Sequence, residues 1–187
     1  MSDQLSTACT AFSGTRLFAR GSRIDVALAI KAAGNAVPTI LLFDDATGRE
    51  IDLDLSGSAE DVVARLTPPA PARGRGRPRL GVVAREVTLL PRHWDWLARQ
   101  PGGASQALRR LIDAARKAGG GQTAARQASE RCWRFLNAMA GNLPGFENAS
   151  RALFAGDGTL FAQCMNLWPA DIRAYALELA QPDPSPH

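Results

Sequence analysis

Arginine is the residue whose spacing in this chain most invites a chemical reading. The stretch 67–121 holds 11 basic and 3 acidic side chains. A guanidinium stays charged at any physiological pH and offers a rigid fork of donors that matches a phosphate. Other reactive residue types are sparse or badly placed. The two histidines are His93 and His187, and His93 has no nucleophile or acid at a spacing that makes a triad. No GxSxG, Walker A loop, strand-following GxGxxG or HExxH is present. Gly102-Gly103-Ala104-Ser105 has the look of a phosphate turn but lacks the lysine that should follow. Cys9, Cys132 and Cys164 are odd in number and far apart, which fits buried, inert thiols rather than a disulfide framework or a metal site. Asp44 and Asp45 fall in a turn, and Asp52 and Asp54 on the polar side of an alternating segment. None has the loop pattern of a cation site. The expectation is a non-enzymatic protein without a cofactor.

Charge is unevenly distributed. Residues 1–66 carry 6 basic and 9 acidic side chains and residues 122–187 carry 5 and 6, so the middle of the chain holds all of the net +4. A basic segment between near-neutral flanks is the footprint of polyanion binding. The acidic N-terminal edge is itself a possible resting place for it. The 187 residues are 45% hydrophobic and 21% charged, as in a soluble globular protein. No apolar run approaches the roughly 18 residues of a membrane span, and MSDQLSTACTAFSG lacks the basic start and apolar block of a secretory signal. A cytoplasmic location is expected.

The elements that must hold the arginines follow from periodicity. Thr7–Ser13 and Leu17–Ala19, separated by Gly14-Thr15, suggest a hairpin. Ser22 and Ser58 each stand three residues before an aspartate, which marks two helix starts. Residues 39–43 and the alternating 51–55 read as strands. The order ββαββα predicts an α+β fold with a small N-terminal domain over 1–66. Residues 67–83 form a basic Pro/Gly/Arg linker. In 84–117, a short β-type run at 85–90 is stopped by Pro91, and two helices flank Pro101-Gly102-Gly103. Trp94 and Trp96 are expected as core anchors. Gly119-Gly120-Gly121 predicts a break, and four apolar helical stripes over 122–181 predict a helical bundle. Residues 182–187 are left as a disordered tail.

Two resemblances attach to the basic stretch. Arg75-Gly76-Arg77-Pro78, flanked by Arg73 and Arg79, resembles the core of an AT-hook. That resemblance implies arginines inserted into a narrow A·T minor groove, where negative potential is concentrated. Residues 84–117 resemble the ribbon-helix-helix repressors. What this implies is a homodimer whose paired strands enter the major groove of double-stranded DNA. Gly103, Ala104 and Ser105 would then offer helix-terminal amides to a phosphate. Arg85, Arg109, Arg110 and Arg116 would add charge. Counted back from Pro91, one strand face is Arg85, Val87 and Leu89 and the other Glu86, Thr88 and Leu90. Neither set is suited to base readout, so phosphate contact is the better-founded expectation. The alternative is a protein–protein module whose basic middle docks on an acidic partner or on the N-terminal domain. Gly81–Asp113 and the MAGxLPGFExAxRALFAGD pattern of Met139–Asp157 also resemble an uncharacterised bacterial protein family, which implies no chemistry.

Overall fold

A computed structural model describes residues 8–34, 39–67 and 85–182. The fold is α+β, and the chain divides into two units, one of residues 1–69 with 121–187, the other of residues 70–120.

In the first unit β1 (Ala8–Ser13) and β2 (Arg16–Ser22) form the expected hairpin. Gly14 supplies the positive φ, 57°, that a two-residue turn requires. β3 (Ile40–Asp44) pairs antiparallel on the other side of β1, giving the order β2-β1-β3. Strand alternation then sorts the side chains to two faces. Cys9, Ala11 and Leu42 go to one face, with Val26 of α1 (Arg23–Ala33). Phe12 and Phe43 go to the other, into a larger core built with the C-terminal helices. All four of Cys9, Thr10, Ala11 and Phe12 have no exposed surface, so β1 is covered on both sides.

Ser22 accepts from the Asp25 amide to start α1. Ser58 and Asp61 form a complete capping box at α2 (Ala59–Leu66). Both starts agree with the sequence reading. The strand expected at 51–55 is absent: Ile51 donates to the Leu42 carbonyl, but no ladder continues. Side chains instead bind the carbonyls at the end of this segment and just after it. Lys31 Nζ donates to the Leu55 and Gly57 carbonyls, and Arg65 to those of Asp54 and Ser56. Ile51 and Leu53 still pack partly into the smaller core, which explains the alternation in sequence.

The second correction concerns the triple glycine. α4 runs without a break from Gly103 to Met139, 37 residues. Glycine costs about 1 kcal/mol per helical position relative to alanine, but the run is short and flanked by strong helix formers. Beyond it Ala128, Cys132, Phe135 and Leu136 are fully or almost fully buried and hold the C-terminal half. α5 (Phe146–Ala155), α6 (Gly158–Cys164) and α7 (Ala170–Leu179) complete the unit.

The core also crosses the boundary expected at residue 66. Phe12 and Phe43 from the sheet meet Phe135 of α4 and Tyr175 of α7, with ring centroids 4.8–6.2 Å apart and two of the contacts edge-to-face near 90°. A three-stranded sheet with two short helices offers too little apolar area to fold alone, and the C-terminal helices supply the missing cover. At Gly48 (φ 64°) the chain passes so close to α4 that a Cβ would lie 1.9 Å from the Arg131 carbonyl oxygen. Gly48→Ala therefore forces backbone apart and is expected to lower stability by roughly 3 kcal/mol or more. Urea denaturation followed by circular dichroism checks it.

Candidate functional site

The second unit carries the basic segment. Arg73, Arg75, Gly76, Arg77, Pro78 and Arg79, including the AT-hook-like residues, lie outside the described residues. Arg85 is exposed in a segment, 85–90, that has no regular secondary structure in the single chain. α3 (Pro91–Ala98) opens with Pro91 at its first turn, where a missing N–H costs nothing. His93 lies exposed on its surface.

The chain then turns through Gly102 and Gly103, with φ of 82° and 74°, into α4. The Gly103 amide is not available to a phosphate, because it donates to the Gln100 carbonyl at 3.1 Å. Gln106 folds back so that its Oε1 lies 1.7 Å from where a Cβ on Gly102 would sit. Ala104 and Ser105 remain as the first-turn residues of the expected anion site, Ser105 exposed and Ala104 partly covered. Arg109, Arg110 and Arg116 are all exposed, as are Arg92 and Arg99. Among the described residues none of these five, nor Arg85, makes an ion pair or side-chain hydrogen bond.

Most arginines of the first unit behave differently, Arg16, Arg49 and Arg173 excepted. Arg20 pairs with Asp45 and Glu178, Arg23 with Asp44, Arg65 with Asp54, Arg126 and Arg134 with Glu130, and Arg151 with Glu147. Arg131 is buried and donates through Nε to the Leu179 carbonyl at 2.8 Å, closing the end of α7.

One expectation fails outright in the second unit. Trp94 and Trp96 are 42% and 49% exposed rather than buried anchors. Leu97 and Ala107 are the buried hydrophobic residues among those described there. Two such residues provide no interior large enough for two indoles.

The aspartates of the first unit serve structure. Asp44 accepts from Arg23 and from both the amide and hydroxyl of Thr47, fixing the β3 turn. Asp45 Oδ1 accepts from Thr10 Oγ1 at 2.8 Å and from the Tyr175 hydroxyl at 2.7 Å, while Arg20 reaches Oδ2 at 3.3 Å. Arg20 also lies 5.7 Å from the Tyr175 ring centroid and forms a two-pronged pair with Glu178. Burial, reinforced by Asp45, pushes the Tyr175 hydroxyl far above its ordinary range. The Arg20 hydrogen bond holds the Glu178 carboxyl below its ordinary 4.5. Sequence reasoning missed this cluster because Tyr175 and Asp45 are 130 positions apart.

Burial also raises the thiols, Cys9 to about 11 and Cys132 to about 12, so neither is a nucleophile at neutral pH. A cleft of about 330 Å³ beside Thr47 is lined by Gln127, Glu130, Arg131 and Arg134. Arg134 donates there to the Thr47 carbonyl at 2.9 Å and Arg131 to the end of α7, so both guanidinium groups are committed to the fold. Among the described residues no group of three or more His, Cys, Asp or Glu could hold a metal ion. No helix there is long and apolar enough to cross a membrane.

A family model described as "Uncharacterized protein conserved in bacteria (DUF2239)" matches residues 8–180, and the chain belongs to that family. No curated protein matches the chain, and no solved structure does.

The Asp45 cluster yields two expected outcomes. Asp45→Ala strands the Tyr175 hydroxyl and removes the partly buried partner of Arg20, at an expected cost of about 3 kcal/mol in urea unfolding. Glu178 has a lowered folded pKa, so its contribution is complete above 4.5 and is lost as pH falls through the folded value. Glu178 is half exposed, which limits that contribution to under about 1 kcal/mol. Glu178→Gln should flatten the acid limb of a melting-temperature profile by that amount.

Proposed function

We propose that this member of the bacterial family is a non-enzymatic DNA-binding protein that grips the phosphate backbone with its second unit. The observation that carries the reading is the contrast in arginine pairing. The first unit's guanidinium groups are largely matched to carboxylates or carbonyls of the fold. Those of Arg85, Arg92, Arg99, Arg109, Arg110 and Arg116 are exposed and unmatched among the described residues. Unpaired like charges on a small surface repel one another, and a polyanion relieves that repulsion while releasing its own counterions. The helix-terminal amides near Ala104 and Ser105 suit one phosphate, and Arg109, Arg110 and Arg116 lie along the same helix. The AT-hook-like Arg75 to Pro78 gives the reading a minor-groove arm with a preference for A·T, and Arg73 and Arg79 add charge beside it. As a homodimer the protein would present two such surfaces to one duplex. A role in transcriptional regulation or in organising the nucleoid follows from this reading, with a cytoplasmic location.

A second reading is supported by the exposed Trp94, Trp96, Leu111 and Ile112. It makes the same unit a protein-interaction module that docks on an acidic partner.

Titrating AT-rich and GC-rich duplexes across a salt series separates the two. DNA binding should weaken steeply, by about 0.9 log units in affinity per phosphate contact for each log unit of salt. Arg109→Ala should weaken both duplexes alike and reduce that slope by about one contact. Arg77→Ala should remove preference for A·T. Absence of binding to either duplex at low salt overturns the reading, and a complex with an acidic protein in its place, itself weakened by salt, supports the second.

A further inference from the structure

One of the two exposed indoles on α3 stands between arginines. Arg92, Trp96 and Arg99 are spaced i, i+4, i+7. Arg99 ends α3 in the helical conformation, with φ −84° and ψ −6°. At about 100° per residue all three fall within an arc of about 60°. Leu97, the buried residue of α3, lies about 100° or more around the helix from each of them. Trp96 is therefore directed away from the interior and is 49% exposed. Among the described residues no side chain stacks on its ring, its indole N–H has no acceptor, and neither arginine is paired. A tryptophan that serves the fold is treated differently: Trp168 is buried and donates its N–H to the Pro144 carbonyl at 2.7 Å. We propose that Trp96, with Arg92 and Arg99, is a stacking site for an unpaired base of single-stranded DNA.

Charge and ring chemistry together choose this occupant. An indole left half in water gains from a flat, apolar ligand surface. The guanidinium groups restrict that ligand to one with an anion on each side. Along the helix axis Arg92 precedes Trp96 by about 6 Å and Arg99 follows it by about 4.5 Å. A nucleotide within a single strand meets both demands, since its base offers a π-face and its backbone carries a phosphate on either side. A second copy of this basic surface would bring like charge to the arginines. An acidic peptide satisfies the arginines but offers a ring only where an aromatic residue stands between its carboxylates, whereas every nucleotide offers one. A base inside a duplex is already stacked on its neighbours and must be unstacked and unpaired first, so the site separates unpaired from paired strands. Asp95, at the edge of this face, makes no ion pair among the described residues, and the two arginines leave the face net positive. Trp94 is not part of the site, because it lies about 140° or more around the helix from all three residues and beside Leu97.

This inference deepens the DNA reading and rests on its phosphate contact, so a strand without bases is the control that tells the two apart. The full chain is titrated at one low salt concentration with labelled oligothymidylate and with an abasic strand of equal length, followed by fluorescence anisotropy. Oligothymidylate should bind about 5- to 150-fold more tightly, the range that stacking of one base supplies. It should also quench tryptophan emission, and the abasic strand should not. Trp96→Ala should lower the affinity for oligothymidylate to that for the abasic strand, with unchanged far-ultraviolet circular dichroism. Trp96→Phe should keep most of the difference, and Trp94→Ala should keep all of it. Equal affinity of the native chain for the two strands, a comparison that needs no variant, overturns the stacking site and leaves the DNA reading standing. So does a preference for oligothymidylate that survives Trp96→Ala, or quenching by polyglutamate as strong as that by oligothymidylate. If neither strand nor any duplex binds, the DNA reading falls and the stacking site falls with it.

Discussion

The first unit depends on one carboxylate. Asp45 leaves the end of β3 and is claimed by Thr10 from β1, Arg20 from β2 and Tyr175 from α7. A carboxylate this far from water costs several kcal/mol unless its oxygens are satisfied. The three donors exist together only when the sheet and the last helix are in place. Apolar contact in the aromatic core beneath it is non-directional, whereas the Asp45 hydrogen bonds are directional. It selects one register of α7 against the sheet and so fixes where Phe12, Phe43, Phe135 and Tyr175 meet. Arg20 extends the constraint by bridging to Glu178, and Arg131 closes the C-terminal end of the same helix.

That constraint also sets the allocation of charge. In the first unit, pairing of Asp44, Asp45, Asp54, Glu130, Glu147 and Glu178 with arginines uses the acidic side chains to organise the fold. In the N-terminal third, Asp44, Asp45 and Asp54 are occupied by Arg23, Arg20 and Arg65 of the same unit. The basic excess of the second unit has few carboxylates of its own, because Glu86, Asp95 and Asp113 are the acidic residues of 67–121. A chain that pairs most of its arginines in one unit and leaves those of the other exposed separates scaffold from contact surface.

Much of the fold was legible in local sequence. Gly14 marked the hairpin, Ser22 and Ser58 the starts of α1 and α2, and apolar spacing the helices from α5 onward. Local signals carry this information because caps and turns are made within four residues. The failures came where distant groups decided. The alternation at 51–55 reported the partial burial of Ile51 and Leu53, but no ladder forms, and Lys31 and Arg65 bind the carbonyls from Asp54 to Gly57. Gly119 to Gly121 read as a break on propensity, and helix cooperativity carried α4 through. Trp94 and Trp96 read as core by residue type, since sequence does not reveal how small an interior surrounds them. In the candidate site, Arg109, Arg110 and Arg116 stand exposed as charge patterning implied, while the Gly103 amide is used by the turn before it. The Asp45–Tyr175 contact left no local trace at all.

The separation of a paired scaffold from an unpaired cationic unit is the central claim, and hydrogen–deuterium exchange of the full chain tests it directly. With a duplex of about 25 base pairs at low salt, slowed exchange should be confined to peptides from 67–121. Peptides covering the sheet, α5, α6 and α7 should be unchanged. Protection centred on those scaffold peptides, or none anywhere at saturating duplex, would contradict it.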